Sequence, residues 1–185
     1  MKIDQVKLNV NYALIINSNA GLWGYSIGDT VKFVSKEPYR LLVTGRIKHF
    51  ISAFGEHVIG EDVVKAMRKT LETFPELNLA EFTVAPQVNP ESGLPRHDWY
   101  IEFNDEPKDM AAFADELNRN LQQLNTYYDD LITGNVLTNL QVFSLKKDSF
   151  INYMKSIGKL GGQNKVPRLS NDRKIADELI KYIKA

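Results

Sequence analysis

Three short stretches of this 185-residue chain carry side chains that could bind or polarise an oxygen-rich ligand. The first, Tyr25-Ser26-Ile27-Gly28-Asp29, sets a carboxylate directly behind a glycine and a short distance after an aromatic ring. An ionised carboxylate accepts hydrogen bonds at both oxygens, which suits it to ribose hydroxyls. The same residues also suit a plain turn before a strand, since glycine permits positive φ and aspartate bonds nearby backbone amides. The second, Gly45-Arg46, offers a guanidinium whose fork of donors fits phosphate or ribose oxygens, and which could equally cap a sheet. Gly55-Glu56 is a further turn of the same ambiguous kind.

The third stretch is Gly158-Lys159-Leu160-Gly161-Gly162-Gln163-Asn164-Lys165-Val166-Pro167-Arg168. Ordering a run of three glycines and three cations costs conformational entropy that a bound ligand would offset. Glycines let backbone approach an anion, and lysine is a mobile point charge suited to phosphate or to negative charge developing in a transition state. The run is not a phosphate-binding P-loop, which follows a strand and ends in Gly-Lys-Ser/Thr. A solvated surface loop accounts for the composition equally well.

Composition removes several classes of function. Lys+Arg and Asp+Glu both number 23, so there is no basic excess to neutralise nucleic-acid phosphates. Cysteine is absent, which excludes disulfides, thiolate metal sites and cysteine nucleophiles. His49, His57 and His97 share no metal-ligand spacing and read as surface or loop histidines, so no metal site is expected. No run approaches the roughly 20 apolar residues of a membrane helix, and the segment after Met1 is too short to act as a signal peptide. A soluble cytoplasmic protein is the expectation.

The elements that must position these stretches follow from periodicity. Tyr12-Ala13-Leu14-Ile15-Ile16, Thr30 to Ser35 and Tyr39 to Arg46 read as strands, with Pro38 at a connection. These three strands have no covering layer of their own and imply a fold already under way. Phe50 to Ala53 reads as a short strand. A helix follows from about Glu61 to Thr73, with Val63, Met67 and Leu71 on one face and Val64 and Phe74 alongside. Phe82 to Val88 and Trp99 to Phe103 are strands, and Pro107 opens a helix whose Phe113, Leu117, Leu121, Leu124 and Tyr128 share a face. Leu137 to Leu145 is a strand and Ser149 to Ser156 a short helix. A last helix is capped by Ser170 or Asn171 and aligned by Ile175, Leu179 and Ile183. The expected class is α+β: a three-strand remnant of a larger domain over residues 1–47, then a small split-βαβ domain with extra C-terminal helices over 48–185.

In order, Asn19-Ala20-Gly21-Leu22-Trp23, Tyr25-x-x-Gly28-Asp29-x-Val31, Gly45-Arg46-x-Lys48-His49-Phe50-Ile51, Phe54-Gly55-Glu56 and the tail from Gly161 to Leu169 resemble the C-terminal portion of the acyl acid–amido synthetases. These form the auxin-responsive Gretchen Hagen family of the adenylate-forming, luciferase-like superfamily. The resemblance runs from about Asn11 to the end. It implies a ligase that activates a carboxylic acid with ATP, Mg2+ being expected in the full-length enzyme, and then conjugates the acyl-adenylate to an amino acid. It further implies that Tyr25 lies against the nucleotide, Asp29 binds its ribose, and Arg46 serves the ribose or phosphate. By the same resemblance Lys48 is the hinge and Lys165 the catalytic lysine of adenylation.

The family's large N-terminal half, with its phosphate loop and most of its acyl pocket, has no counterpart here, so this chain alone is expected to be inactive. Gly24 and Ser26 stand beside Tyr25 where plant relatives tend to be basic. Partners expected are the acid and amino acid substrates of the full-length enzyme, and a second copy through the open sheet edge. Nucleic acid and membrane are not expected. The rival reading is a non-catalytic α+β ligand- or protein-binding module that kept the fold. Joint retention of Asp29, Arg46 and Lys165 favours the enzyme.

Overall fold

Alternation of apolar residues builds the first sheet. In a computed structural model, which describes residues 1–46, 50–161 and 164–184, β1 (Asn11–Ile16), β2 (Tyr25–Lys36) and β3 (Tyr39–Arg46) pair antiparallel in that order. Val31 and Phe33, two residues apart, fall on one face. They pack with Val6, Tyr12 and Leu14 in a small cluster of their own. Leu41 and Val43 stand opposite Phe33 and Val31 in register, yet remain 45% and 65% exposed. The sheet is thus only partly covered, as its unpartnered strands imply.

The second half is built around another sheet. A short pair, β4 (Phe50–Ile51) and β5 (Val58–Ile59), leads into α1 (Gly60–Thr73). Lys32 of β2 reaches Glu61 of α1 at 3.4 Å, an ion pair between the two halves. The buried face of α1 is Val63, Ala66, Met67 and Thr70, a helical stripe. Val64, expected beside that stripe, is turned out and half exposed. β6 (Asn78–Gln87) and β7 (Arg96–Asp105) form an antiparallel hairpin, and β8 (Gln141–Ser144) joins β7 in parallel.

Both faces of this sheet are covered. On one, Phe82, Val84, Trp99, Ile101 and Phe103 pack against Met67, Phe113, Leu117 and Leu121. On the other, Ala85, Tyr100 and Leu145 meet Phe150, Tyr153 and Met154 of α4 (Ser149–Ser156) and Ala176 and Leu179 of α5 (Lys174–Leu179). Burying each large apolar side chain contributes roughly 1.5–3 kcal/mol, so these two clusters hold the domain together.

The C-terminal segment also closes both edges of the sheet. On the β6 edge, Val84 N donates to Arg168 O and Ser170 N to Val84 O, both at 3.0 Å. On the β8 edge, Lys146 N donates to Tyr182 O and Lys184 N to Ser144 O, both at 2.9 Å.

The α+β class, the small domain and its added C-terminal helices are as expected. The βαβ unit runs from β7 through two helices to β8, and its strands are direct neighbours. The strand at Phe50–Ile51, which a split plan inserts into the sheet, pairs with β5 instead. Several boundaries differ from the sequence reading; the helix expected to open at Pro107 begins at Met110, behind Asp109, whose side chain caps it. The helix expected to run through Tyr128 is two, α2 (Met110–Leu124) and α3 (Thr126–Thr133), because Asn125 leaves helical geometry and its side chain accepts from Tyr128 N to start the second. The strand expected from Leu137 begins only at Gln141. Neither Ser170 nor Asn171 caps α5; Asn171 Oδ1 instead accepts from Ser52 N at 3.0 Å, and the cap position belongs to Arg173.

Candidate functional site

Backbone irregularity aims the residues of the Tyr25-x-x-Gly28-Asp29 stretch. Between the pairs Ala13–Thr30 and Ile15–Ser26, β2 carries extra residues opposite Leu14, a bulge that contains Gly28 and Asp29. Gly28 adopts φ +84°, a conformation that L side chains rarely adopt. A second irregularity lies on β3, where Thr44 is the extra residue between Gly45 and Val43. Asp29, inside the first bulge, stands directly opposite Arg46 in the β2–β3 ladder, with the second bulge close by at Thr44. The register therefore brings the candidate carboxylate and the candidate guanidinium residue together, although they are far apart in sequence.

Tyr25 starts β2 opposite Ile16 and is half exposed. The loop before it is tied by Asn17, whose Oδ1 accepts from Gly24 N at 2.7 Å, and by Ser18 N donating to Leu22 O at 2.8 Å. Beneath the Asp29–Arg46 pair, Thr44 Oγ1 lies 2.9 Å from Asn11 Oδ1 and 3.1 Å from Thr30 Oγ1, fastening all three strands. Lys48, the expected hinge, lies outside the described residues, as does His49.

Lys165 sits elsewhere, in the loop that leaves α4 and returns to the β6 edge. The return is strongly anchored: Thr83 Oγ1 donates to Pro167 O at 2.7 Å, and the Arg168 guanidinium pairs with Glu81 and lies 4.6 Å over the Phe82 ring. Burial pushes the Arg168 guanidinium below its ordinary range. Lys165 is exposed just before this anchor, and no ion pair engages it among the described residues. A cavity of about 400 Å³ opens there between α4 and β6, bordered by Lys159, Lys165, Met154, Leu160 and Val166. Tyr25, Asp29 and Arg46 are not among its described lining residues.

One buried constellation escaped the sequence reading. His97, read as a surface or loop histidine, is fully buried on β7, and Glu56, read as a turn residue, is fully buried opposite it. His97 Nε2 and Glu56 Oε1 are 3.0 Å apart, and Glu56 Oε2 accepts from Phe54 N at 2.8 Å. Burial raises the Glu56 carboxyl pKa, but hydrogen bonding and charge from His97, with two backbone amides, outweigh that and hold it below its ordinary value. His97 also stacks on Tyr128, with ring centres 5.1 Å apart, and Tyr128 donates to Asn118 Oδ1 at 2.7 Å. The signal was available: the alternation that puts Trp99, Ile101 and Phe103 inside puts His97 on the same face.

Comparison with known proteins follows the same division of the chain. The GH3 family C-terminal domain matches residues 61–174, and the GH3 family central domain matches residues 1–46. No curated protein sequence matches. Among solved structures, a GH3.15 acyl acid amido synthetase superposes with a TM-score of 0.75 at 19% identity, over 98% of this chain and 35% of that one. The AtGH3.15 acyl acid amido synthetase in complex with 2,4-DB gives a TM-score of 0.72 at 18% identity, over 97% and 34% of the two chains. This chain thus spans about a third of the length of the structures whose fold it shares. With the C-terminal domain match covering more than half of its residues and the central domain match covering the sheet that carries Asp29 and Arg46, the chain belongs to the GH3 family.

Proposed function

We propose that this chain supplies part of the nucleotide site and the mobile lysine of an ATP-dependent ligase that adenylates a carboxylic acid and joins it to an amino acid. The observation that carries the reading is the pairing of Asp29 with Arg46 across two bulged strands inside a GH3 fold. A carboxylate aimed by a bulge accepts from ribose hydroxyls, and a guanidinium residue on the facing strand serves ribose or phosphate oxygens. Tyr25, half exposed on the same strand, offers a ring face to the base. Lys48 is the pivot of the small domain, and Lys165 approaches the reacting phosphate only while the domain is turned inward. Its charge then stabilises the transition state in which the carboxylate attacks the α-phosphate and pyrophosphate leaves. Mg2+ would supply neutralisation of phosphate charge in the full-length enzyme, and no residue of this chain is assigned to it. Adenylation and amide formation need the full-length protein; the chain alone is proposed to be inactive and to act in the cytoplasm.

The test is Lys165→Ala in a full-length enzyme that contains this chain. Adenylation, followed by pyrophosphate exchange, is expected to slow by roughly 100-fold or more, the scale for losing one preorganised charge-stabilising group. Amide formation from supplied acyl-adenylate suffers less, because the lysine has then turned away. Near-normal pyrophosphate exchange removes the assignment.

A further inference from the structure

The cavity between α4 and β6 has an unusual balance of charge. Five charged side chains border it: Glu81, Glu102, Arg168, and the lysines at 159 and 165. Glu81 is neutralised by Arg168. Glu102 is turned to the start of α4, where its oxygens accept from Asp148 N at 2.7 Å and Phe150 N at 3.2 Å. Both carboxylates are therefore engaged by groups of the fold. Lys159 and Lys165 have no ion-pair partner among the described residues, so two cations at the rim are left uncompensated. Both also border a second cavity of about 200 Å³ on the α5 side, so the loop that carries them separates two hollows.

The floor is apolar. Phe150 and Met154 present buried surface from α4, Val166 closes the side, and Ile151 and Leu160 are half exposed at the margin. Cavities of about 300–1,000 Å³ with apolar walls and a few placed polar groups are the size and chemistry of small-molecule sites. A neutral apolar ligand would leave the two lysines unused, and a bare inorganic anion would leave the floor wet.

We propose that this cavity binds an organic anion, a carboxylate or phosphate carried on an apolar body, with the head group at Lys159 and Lys165 and the body against Phe150, Met154 and Leu160. The inference rests on the cavity alone and does not require Lys165 to act in adenylation, so the two readings can fail separately. Gly161, between the two lysines in sequence, adopts φ +90°, a conformation that L side chains rarely adopt.

The experiment uses the 185-residue chain with three probes: octanoate, octyl phosphate and octanol. Calorimetric titration is combined with NMR shifts of the Met154 methyl group. We expect at least one anionic probe to bind more tightly than octanol and to shift the Met154 methyl, the preferred anion naming the head group. The double variant K159A/K165A is expected to weaken that binding by roughly tenfold, as for two partly exposed ionic contacts, while leaving the melting temperature unchanged. Equal binding of octanol, unchanged affinity in the double variant, or no saturable shift at Met154 each overturns the proposal.

Discussion

Glu56 and His97 hold the loop that enters the small domain, and their chemistry sets a pH dependence. The Glu56 carboxyl lies below its ordinary value of 4.5 in the folded chain. Its contribution to stability is therefore present above that ordinary value and is lost as pH falls through the lowered one. Glu56→Gln keeps the shape but removes the titration. We expect the variant to be less stable near neutrality and to lose less stability than the parent between pH 7 and pH 4, as read from urea unfolding at the two values. An identical acid slope in both proteins counts against the pair. Gly28 makes a second test at this scale. A Cβ added there meets nothing within 4 Å, so the cost of Gly28→Ala comes from backbone conformation alone. Forcing an L side chain to φ +84° should cost about 1–2 kcal/mol, and hydrogen exchange should show it in β1 and β2 rather than in the small domain.

Helix α4 depends on a residue that is not its neighbour in sequence. Glu102 on β7 is buried and accepts from two backbone N–H groups at the start of that helix. Asp148, at the cap position, sits in left-handed geometry and makes no side-chain cap bond. Glu102→Ala should therefore destabilise the domain by about 1–2 kcal/mol, the scale of losing an N-cap, with loss focused on α4 in hydrogen exchange. Uniform loss across all helices would show a general packing defect instead. This cap also marks what the sequence could and could not reveal. The stripes of α1 and α2 and the strand pattern of β6 and β7 are local periodicities, so they were legible. The interruption at Asn125 was not, because a helical apolar pattern continues through Leu124 to Tyr128 while the decisive bond is the asparagine's own. Glu102, His97 and Glu56 work through partners more than 40 positions away, and no local pattern encodes such pairs. Tyr25, Asp29 and Arg46 were legible as a motif in order; the bulges that aim them were not, apart from the glycine at 28.

At the scale of the molecule the two halves differ in how well they are covered. The small domain has helices on both faces of its sheet, whereas β1–β3 leaves Leu41 and Val43 exposed on the face shared with Val31 and Phe33. Exposed apolar faces beside open strand edges invite association. The isolated chain is expected to self-associate through this sheet, with a sedimentation coefficient that rises with concentration. The double variant L41K/V43K should shift it toward monomer without altering the circular dichroism of the small domain. A clean monomer for the parent over a wide concentration range overturns the expectation.

The last residues of the chain finish the central sheet from both sides, through Arg168 and Ser170 on β6 and Tyr182 and Lys184 on β8. During synthesis, β6, β7 and β8 therefore emerge with two bare edges that stay open until residues 168–184 have left the ribosome. Completion of the domain is a late event, set by the arrival of residues 168–184 rather than by the first appearance of its core. A nascent chain exposed only as far as Lys165 would hold out a sheet with its hydrophobic layers partly in place and both borders still able to recruit a stranger's strand.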